Sequence, residues 1–563
     1  MLSSLFTLGV VGLSCLSLSH ASGTPIVTIS NGTVLGLRSG VVDTFLGVPF
    51  AQPPVGDLRF RAPLPLNTSF GTINATKTPR ACPQLANDNV PQIFSGFPPS
   101  DLESYSLFTT PPIVVGEDCL SLNIQRPSSA TAASKLPVLF WMYGGGFNSG
   151  STQQNNYANI VTESVALGHP ILVVQANYRV SAFGFLGGSE IQAEGSTNVG
   201  LRDQRLALKW VAENIASFGG DPDRVTIWGE SAGAISVLDH MLIEGGDNKY
   251  SNKPLFHAGI SNSGATVPAE PVDGESAQKI FDAIAEAGGC GETGDRLECL
   301  RGLSYDDLLN ATNVAPSLFT STGVRFSFPP RPDPSSAFFP VSPEQAILAK
   351  KIARIPIITG NQADEGTMFG LTLRNGTTTD TLVDDALRFF YPTTPRSSLV
   401  NLINTYSTDP ADGAPYGTGD TNQIYPEFKR NSAVIGDSLF IFQRRWQLEH
   451  TANLIPSWSY LATYNHTAEN FGTAHGSDTV MIATGYPTIP YKHVLQYYIS
   501  FVNYLDPNRI MGANGSNLTY WPRWTLDGKD VIQLGADGEL IIRDDFREKS
   551  YAYFRSIMSQ LKI

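Results

Sequence analysis

Apolar positions in the middle of this chain cluster into short, nearly continuous runs, Val138 to Tyr143 and Ile171 to Gln175 among them. Runs of that length bounded by polar turns predict strands buried on both faces. Between them and the next run the spacing changes. Leu206, Trp210, Val211 and Ile215 recur at helical intervals within Leu201 to Phe218, and Gly219-Gly220-Asp221-Pro222 then predicts the end of that helix. Val225 to Trp228 follows as a strand, and an alanine-rich helical pattern begins just after it. His257 to Ile260, Ile355 to Thr359 and Trp458 to Tyr464 read as further strands. Strand alternating with helix predicts an α/β protein, a mostly parallel central sheet flanked by helices.

The flanking regions follow this rule less closely. Residues 26 to 65 read as short strands and turns, and the prolines of Phe50-Ala51-Gln52-Pro53-Pro54-Val55-Gly56 exclude a helix there. Residues 266 to about 350 and 380 to 450 hold helical patches, such as Ala277 to Ala287, and proline-rich turns such as Phe328-Pro329-Pro330-Arg331-Pro332. We read residues 22–563 as one catalytic domain with large insertions into the sheet's connections.

One turn in this pattern carries chemistry. The strand Val225 to Trp228 runs into Gly229-Glu230-Ser231-Ala232-Gly233, where a serine stands between glycines two residues away on either side. A sharp strand–turn–helix of this kind strains the serine backbone and exposes its hydroxyl above the sheet, and the glycines remove side chains that would clash. Ligands of open α/β sheets bind beyond the carboxyl ends of strands, which is where Ser231 falls. A serine hydroxyl needs a base, and the base needs an acid to fix its tautomer. In this arrangement the acid and then the histidine follow the serine along the chain.

Of His450, His466, His475 and His493, we select His475. It sits in the small-residue loop Phe471-Gly472-Thr473-Ala474-His475-Gly476-Ser477-Asp478, just after a strand, whereas His466 lies inside a sequon and His450 in a helix-like stretch beside Arg444 and Arg445. For the acid, the strand Ile357-Ile358-Thr359 runs into a polar turn with two candidates, Asp364 and Glu365. The residues alone leave that choice open, and Asp364 also suits a turn cap. Tyr143-Gly144-Gly145-Gly146-Phe147 follows a buried strand, so its backbone N–H groups can approach a developing oxyanion, with a second donor at Ala232.

Composition sets the surroundings. Charged residues make up only 16% of the 563 residues and aromatics 10%, a globular composition rather than a disordered one. A formal charge of −13 argues against nucleic acid as a partner, which would require a basic patch. The apolar run Leu5 to Leu18, followed by Ser19-His20-Ala21, has the outline of a secretory signal spanning residues 1–21, although no Lys or Arg precedes it. It is shorter than the roughly 20 residues that a membrane span needs. Removing it takes Cys15 away and leaves Cys82, Cys119, Cys290 and Cys299, an even set with no common zinc spacing. Sequence alone does not choose among the three pairings, and proximity favours 82 with 119 and 290 with 299. Sequons at Asn31, Asn67, Asn74, Asn310, Asn375, Asn465, Asn514 and Asn517 suit an extracellular chain, with only some expected to carry glycan.

The Gly229–Gly233 turn, the stretch Glu117-Asp118-Cys119-Leu120-Ser121-Leu122-Asn123 and the Gly144–Phe147 turn together resemble the type-B carboxylesterase/lipase family of α/β-hydrolases. Within it they are similar to the secreted fungal branch typified by Candida rugosa lipase and fungal sterol esterases, and the likeness runs from about Ile26 to near the C-terminus. The resemblance implies Ser231 as nucleophile, Glu365 rather than Asp364 as acid, His475 as base, and Gly145, Gly146 and Ala232 as oxyanion-hole donors. It implies the disulfides Cys82–Cys119 and Cys290–Cys299, and makes the loop 83–118 a lid over the acyl site. Tyr143 replaces the family's usual histidine before the glycines, a change that keeps the backbone donors. The implied activity is hydrolysis of lipid-type esters, acylglycerols or sterol esters, through an acyl-enzyme, with transient contact to a lipid interface and no metal or cofactor. The alternatives are a specialised esterase for short-chain, feruloyl or carotenoid esters without interfacial activation, and a non-catalytic adhesion-type member, which would lack a residue of the triad. Phe326, Met368 and Phe369 are candidates for the acyl-pocket lining, and core packing explains them equally well. The sequence leaves the oligomeric state open.

Overall fold

The structure, a computed structural model, describes residues 23–86, 97, 114–320, 323–373, 378–464, 470–485, 488–512 and 517–563. Its centre is an eleven-stranded sheet. In chain order the strands are β1 (Leu37–Ser39), β2 (Val42–Pro49), β3 (Ser121–Pro127), β4 (Leu136–Met142), β5 (Leu172–Ala176), β6 (Gly220–Glu230), β7 (Ala258–Asn262), β8 (Ile357–Gln362), β9 (Ser457–Ala462), β10 (Asp530–Gly535) and β11 (Gly538–Arg543). Across the sheet they lie as β11-β10-β9-β8-β7-β6-β4-β5-β3-β2-β1. From β5 through β10 every pairing is parallel, while β1, β2, β3 and β11 join antiparallel at the two edges.

The parallel strands read as unbroken apolar runs because helices cover both of their faces. Residues Pro137 to Met142 of β4 and all of β5, β7 and β8 are buried. Trp141 of β4 is in register with Trp228 of β6, their ring centroids 4.2 Å apart, and Tyr157 packs against both. Such aromatic contacts lock neighbouring strands beyond what area burial gives. One continuous buried cluster extends from Val27 to Ile563.

Two boundaries differ from the sequence reading. The helix predicted through Phe218 is α-helical only as α1 (Val199–Asn214), and Ile215–Phe218 tightens into a 3-10 turn that ends at Gly219 with φ +91°. Gly220, expected in the helix stop, already pairs with Leu136 as the first residue of β6. A left-handed glycine needs only one position to end a helix, so the strand starts at once.

Both disulfides form as expected, Cys82–Cys119 and Cys290–Cys299. Most of the loop 83–118 lies outside the described residues, as do the signal segment and the sequons at Asn375, Asn465 and Asn514. Asn67, Asn74, Asn310 and Asn517 are exposed and Asn31 is partly so. No described helix is long and apolar enough to cross a membrane.

Candidate active site

Ser231 occupies the step from β6 into helix α2 (Ala232–Gly246) with φ +55° and ψ −121°, a region that non-glycine residues rarely adopt. The surroundings over-determine that conformation. Its N–H donates to the Asn262 carbonyl of β7 at 2.9 Å. A Cβ on Gly233 would stand 2.0 Å from the Met142 carbonyl oxygen, and one on Gly229 would stand 2.2 Å from that of Gly233. Both positions therefore exclude any side chain, which is the physical content of the glycine spacing. Ser231 itself retains 8% exposure.

His475 and Glu365 come from the ends of neighbouring strands. Glu365 stands three residues beyond β8, and His475 lies in the loop after β9. Glu365 Oε2 meets His475 Nδ1 at 2.5 Å, with both side chains fully buried. The other oxygen, Oε1, accepts from the Gln362 N–H at 2.8 Å and from Asn361 Nδ2 at 3.1 Å. Asn361 is held in turn by Arg444 Nε at 2.8 Å, and Arg444 is paired with Asp544, which also pairs with Arg445. Trp524 Nε1 donates to Asp544 as well. Against strong burial, these two arginines hold the Asp544 carboxyl down at about 2. The acid is thus braced through a chain of groups that reaches the far edge of the sheet.

Burial opposes a charged His475, but the Glu365 and Glu230 carboxyls outweigh it and raise the imidazole above its ordinary value. Glu230, beside Ser231, places Oε1 3.3 Å from His475 Nε2. Burial pushes its carboxyl up to about 8, against the pull of the neighbouring imidazole. The imidazole face packs on Phe440 and Phe369, at centroid distances of 4.5 and 5.2 Å. With one nitrogen tied to a carboxylate, the other is the one left to exchange a proton.

Asp364 has the role of a turn brace. Its Oδ1 accepts from the Tyr416 N–H at 2.8 Å and its Oδ2 from the Thr473 N–H at 2.9 Å. The other histidines are employed elsewhere. His450 stacks on Trp446 at 4.1 Å, and His493 bonds Glu539; His466 lies outside the described residues.

The glycine turn after β4 has Gly145 at φ +105° and Gly146 at φ +61°, and a Cβ on Gly145 would stand 2.4 Å from the Ser149 carbonyl. Tyr143, which enters this turn, stacks on Tyr178 with centroids 4.2 Å apart. Tyr143 OH donates to the Tyr178 carbonyl at 2.5 Å and accepts from its N–H at 3.0 Å, while Tyr178 OH donates to the Tyr143 carbonyl at 2.6 Å. This reciprocal clasp fixes the start of the turn without a histidine.

Several residues of the site escaped the sequence reading: Asn361, Asp544, Asn262 and Tyr178. Asn262 links Trp228 Nε1 to Asp478 and Tyr498, at 2.9, 2.6 and 2.8 Å. Arg444 and Arg445 enter the sequence reading only as neighbours of His450, and both prove fully buried against Asp544. Of the expected lining, Phe326 borders a cavity beside the site and Phe369 touches His475. Met368 is fully buried and is not part of that cavity's wall, so the core-packing reading describes it. Among the described residues, no group of three or more His, Cys, Asp or Glu is placed to hold a metal ion.

A strained serine at a strand end, next to a carboxylate–imidazole pair and a glycine turn on a largely parallel sheet, defines an α/β-hydrolase. The chain belongs to the carboxylesterase family, whose profile matches residues 23–554, and it is a carboxylic ester hydrolase. It is 44% identical to the secreted triacylglycerol lipase LIP1 of Gibberella zeae over 94% of this chain and 89% of that one. It is also 44% identical to secreted lipase 1 of Botryotinia fuckeliana, over 95% and 93% of the two chains, and 39% identical to lipase 5 of Diutina rugosa, over 95% and 96%. Among solved structures it resembles Aspergillus niger EstA, with a TM-score of 0.78 and 25% identity, covering 96% of this chain and 99% of that one.

Proposed function

We propose that Ser231, His475 and Glu365 are the nucleophile, base and acid of a secreted lipase acting on acylglycerol-type esters, with residues 22–563 forming one catalytic unit. The observation that carries this reading is the 2.5 Å bond between Glu365 Oε2 and His475 Nδ1, buried beside an elbow serine. Glu365 holds the imidazole in the tautomer whose Nε2 is the basic nitrogen that takes the serine proton. Ser231 Oγ then adds to the ester carbonyl, and the oxyanion is received by the N–H groups of Gly145, Gly146 and Ala232. As the tetrahedral adduct collapses, the alcohol leaves with the proton from His475. Water repeats the two steps on the acyl-enzyme, releasing the acid and restoring Ser231.

The substrate class rests on the relatives, which are named as lipases, two of them as secreted. A non-catalytic member is disfavoured because serine, histidine and acid are all retained. The test is Ser231→Ala assayed on p-nitrophenyl butyrate and on emulsified triglyceride. We expect kcat to fall by about 10⁴-fold or more on both. Near-full activity in that variant would overturn the assignment, and a wild-type rate confined to short soluble esters would replace the lipase reading with that of a short-chain esterase.

A further inference from the structure

A buried acid that the proposed mechanism does not use stands in α2, eight residues beyond Ser231. At 1.5 Å of rise per residue, Asp239 lies roughly 12 Å along the helix from the nucleophile. Ser231, Ile235 and Asp239 follow at four-residue spacing, so they succeed one another down one side of the helix. Asp239 is 1% exposed, and neither carboxyl oxygen has a hydrogen-bond partner among the described residues.

Both Ile235 and Asp239 border one small cavity of about 20 Å³. Phe147, the residue after Gly146, also borders it, as does Phe440, which packs on the His475 ring. Phe326 and Leu439 are further parts of its apolar wall. One small space thus has in its wall both residues from around the reacting centre and a carboxyl group. It is wide enough for about one water, so a chain entering it must part the phenyl side chains.

An unpartnered buried carboxyl is costly, and an aliphatic residue would fill the same place without that cost. Among the described residues no cation or donor offsets the burial of Asp239, which raises its carboxyl far above the usual range. Burial so favours the protonated acid, which has one O–H to donate and one carbonyl oxygen to accept. That pair of functions matches a hydroxyl group, which both accepts and donates.

We propose that Asp239 is a specificity-determining residue which selects acyl chains bearing a hydroxyl group partway along an otherwise apolar chain. The proposal rests on the lipid-ester reading of the same site. The hydroxyl oxygen accepts from the Asp239 O–H, its hydrogen is donated to the Asp239 carbonyl oxygen, and the methylenes on the serine side pass Ile235, Phe147 and Phe440.

The test compares p-nitrophenyl stearate with hydroxystearates whose hydroxyl is stepped along the chain, using wild type, Asp239→Asn and Asp239→Leu. In wild type, kcat/KM at one hydroxyl position is expected to exceed that for stearate by about tenfold to a hundredfold. Asp239→Leu brings this ratio to about one, and Asp239→Asn, which can still donate and accept, retains part of it. Equal wild-type rates at every position, or a preference that survives Asp239→Leu, would overturn the proposal and leave the ester-hydrolase reading standing. Should Asp239→Leu fail to fold, the wild-type panel and Asp239→Asn decide it. A wild type that hydrolyses none of these esters overturns the lipid-ester reading itself.

Discussion

Asp364, the residue before Glu365, accepts the backbone N–H of Thr473, two residues before His475, at 2.9 Å. The Asp364 N–H donates in turn to the Thr473 carbonyl at 3.1 Å. The loops bearing Glu365 and His475 are therefore fastened to each other next to the 2.5 Å contact that these two side chains make. Gly472 stands at φ +62° in this junction, where a Cβ would lie 2.2 Å from Asp364 Oδ2.

Replacing Asp364 by alanine leaves the N–H groups of Thr473 and Tyr416 buried without that acceptor. Stability is expected to fall by roughly 2–4 kcal/mol, measured by urea denaturation. Activity at a temperature where the variant is folded should fall as well, because His475 loses its fixed approach to Glu365. A variant with wild-type stability would show that the two bonds contribute nothing.

The pH dependence of kcat/KM should follow His475. The base form is the neutral imidazole, so the rate rises as pH climbs through the His475 pKa. Burial lowers that value, but Glu365 and Glu230 outweigh it, so the acid limb should lie above the ordinary histidine value of about 6.5. In Glu365→Gln the principal raising charge is gone, so the limb moves to lower pH while the plateau kcat falls by about 10²- to 10⁴-fold. A pH–rate profile of the two enzymes checks both shifts, and an unmoved limb would detach it from this pair.

Arg444→Met removes the guanidinium shared between Asn361 and Asp544, both buried. Breaking one side of a buried ion pair costs about 3–5 kcal/mol, and here Asp544 would retain Arg445 and the Trp524 Nε1–H. A lowered denaturation midpoint together with reduced kcat is expected, since Asn361 then no longer steadies Glu365. Wild-type kcat in a folded Arg444→Met would confine the arginine to stability alone.

Tyr143→Phe preserves the ring stack on Tyr178 and removes only the hydroxyl that bonds the Tyr178 carbonyl and N–H. The expected loss is about 1–3 kcal/mol of stability. If the clasp positions the Gly145–Gly146 donors, kcat should drop with KM nearly unchanged, because an oxyanion forms only after binding. Initial-rate kinetics separate this from a general loosening, which would raise KM.

Much of the architecture was legible from the order of residues. Strands buried on both faces must be apolar throughout, so β4 and β5 announced themselves, and the glycines around Ser231 followed from sterics at a sharp turn. The strands at the sheet's edge were less visible. β11 has no buried residue, and an edge strand with one solvated side carries a mixed pattern. The insertions were also opaque, because their helices pack by tertiary contact rather than by strong periodicity.

The sequence by itself determined the elbow at Ser231, the glycine turn before it, and a loop in which His475 was the best-placed base; these depend on local backbone geometry, which neighbouring residues dictate. Physics applied to the sequence left Asp364 and Glu365 level, since both are acids in one polar turn. The family resemblance favours Glu365, and the tertiary structure gives the physical difference by turning Asp364 towards backbone donors and Glu365 towards the imidazole. The same holds for Asn361, Arg444 and Asp544, which lie far apart in the chain and meet because the helix Phe442–Thr451 places Arg444 between β8 and the residue that follows β11. Partnerships of this kind are set by packing over long sequence separations, and no local pattern encodes them.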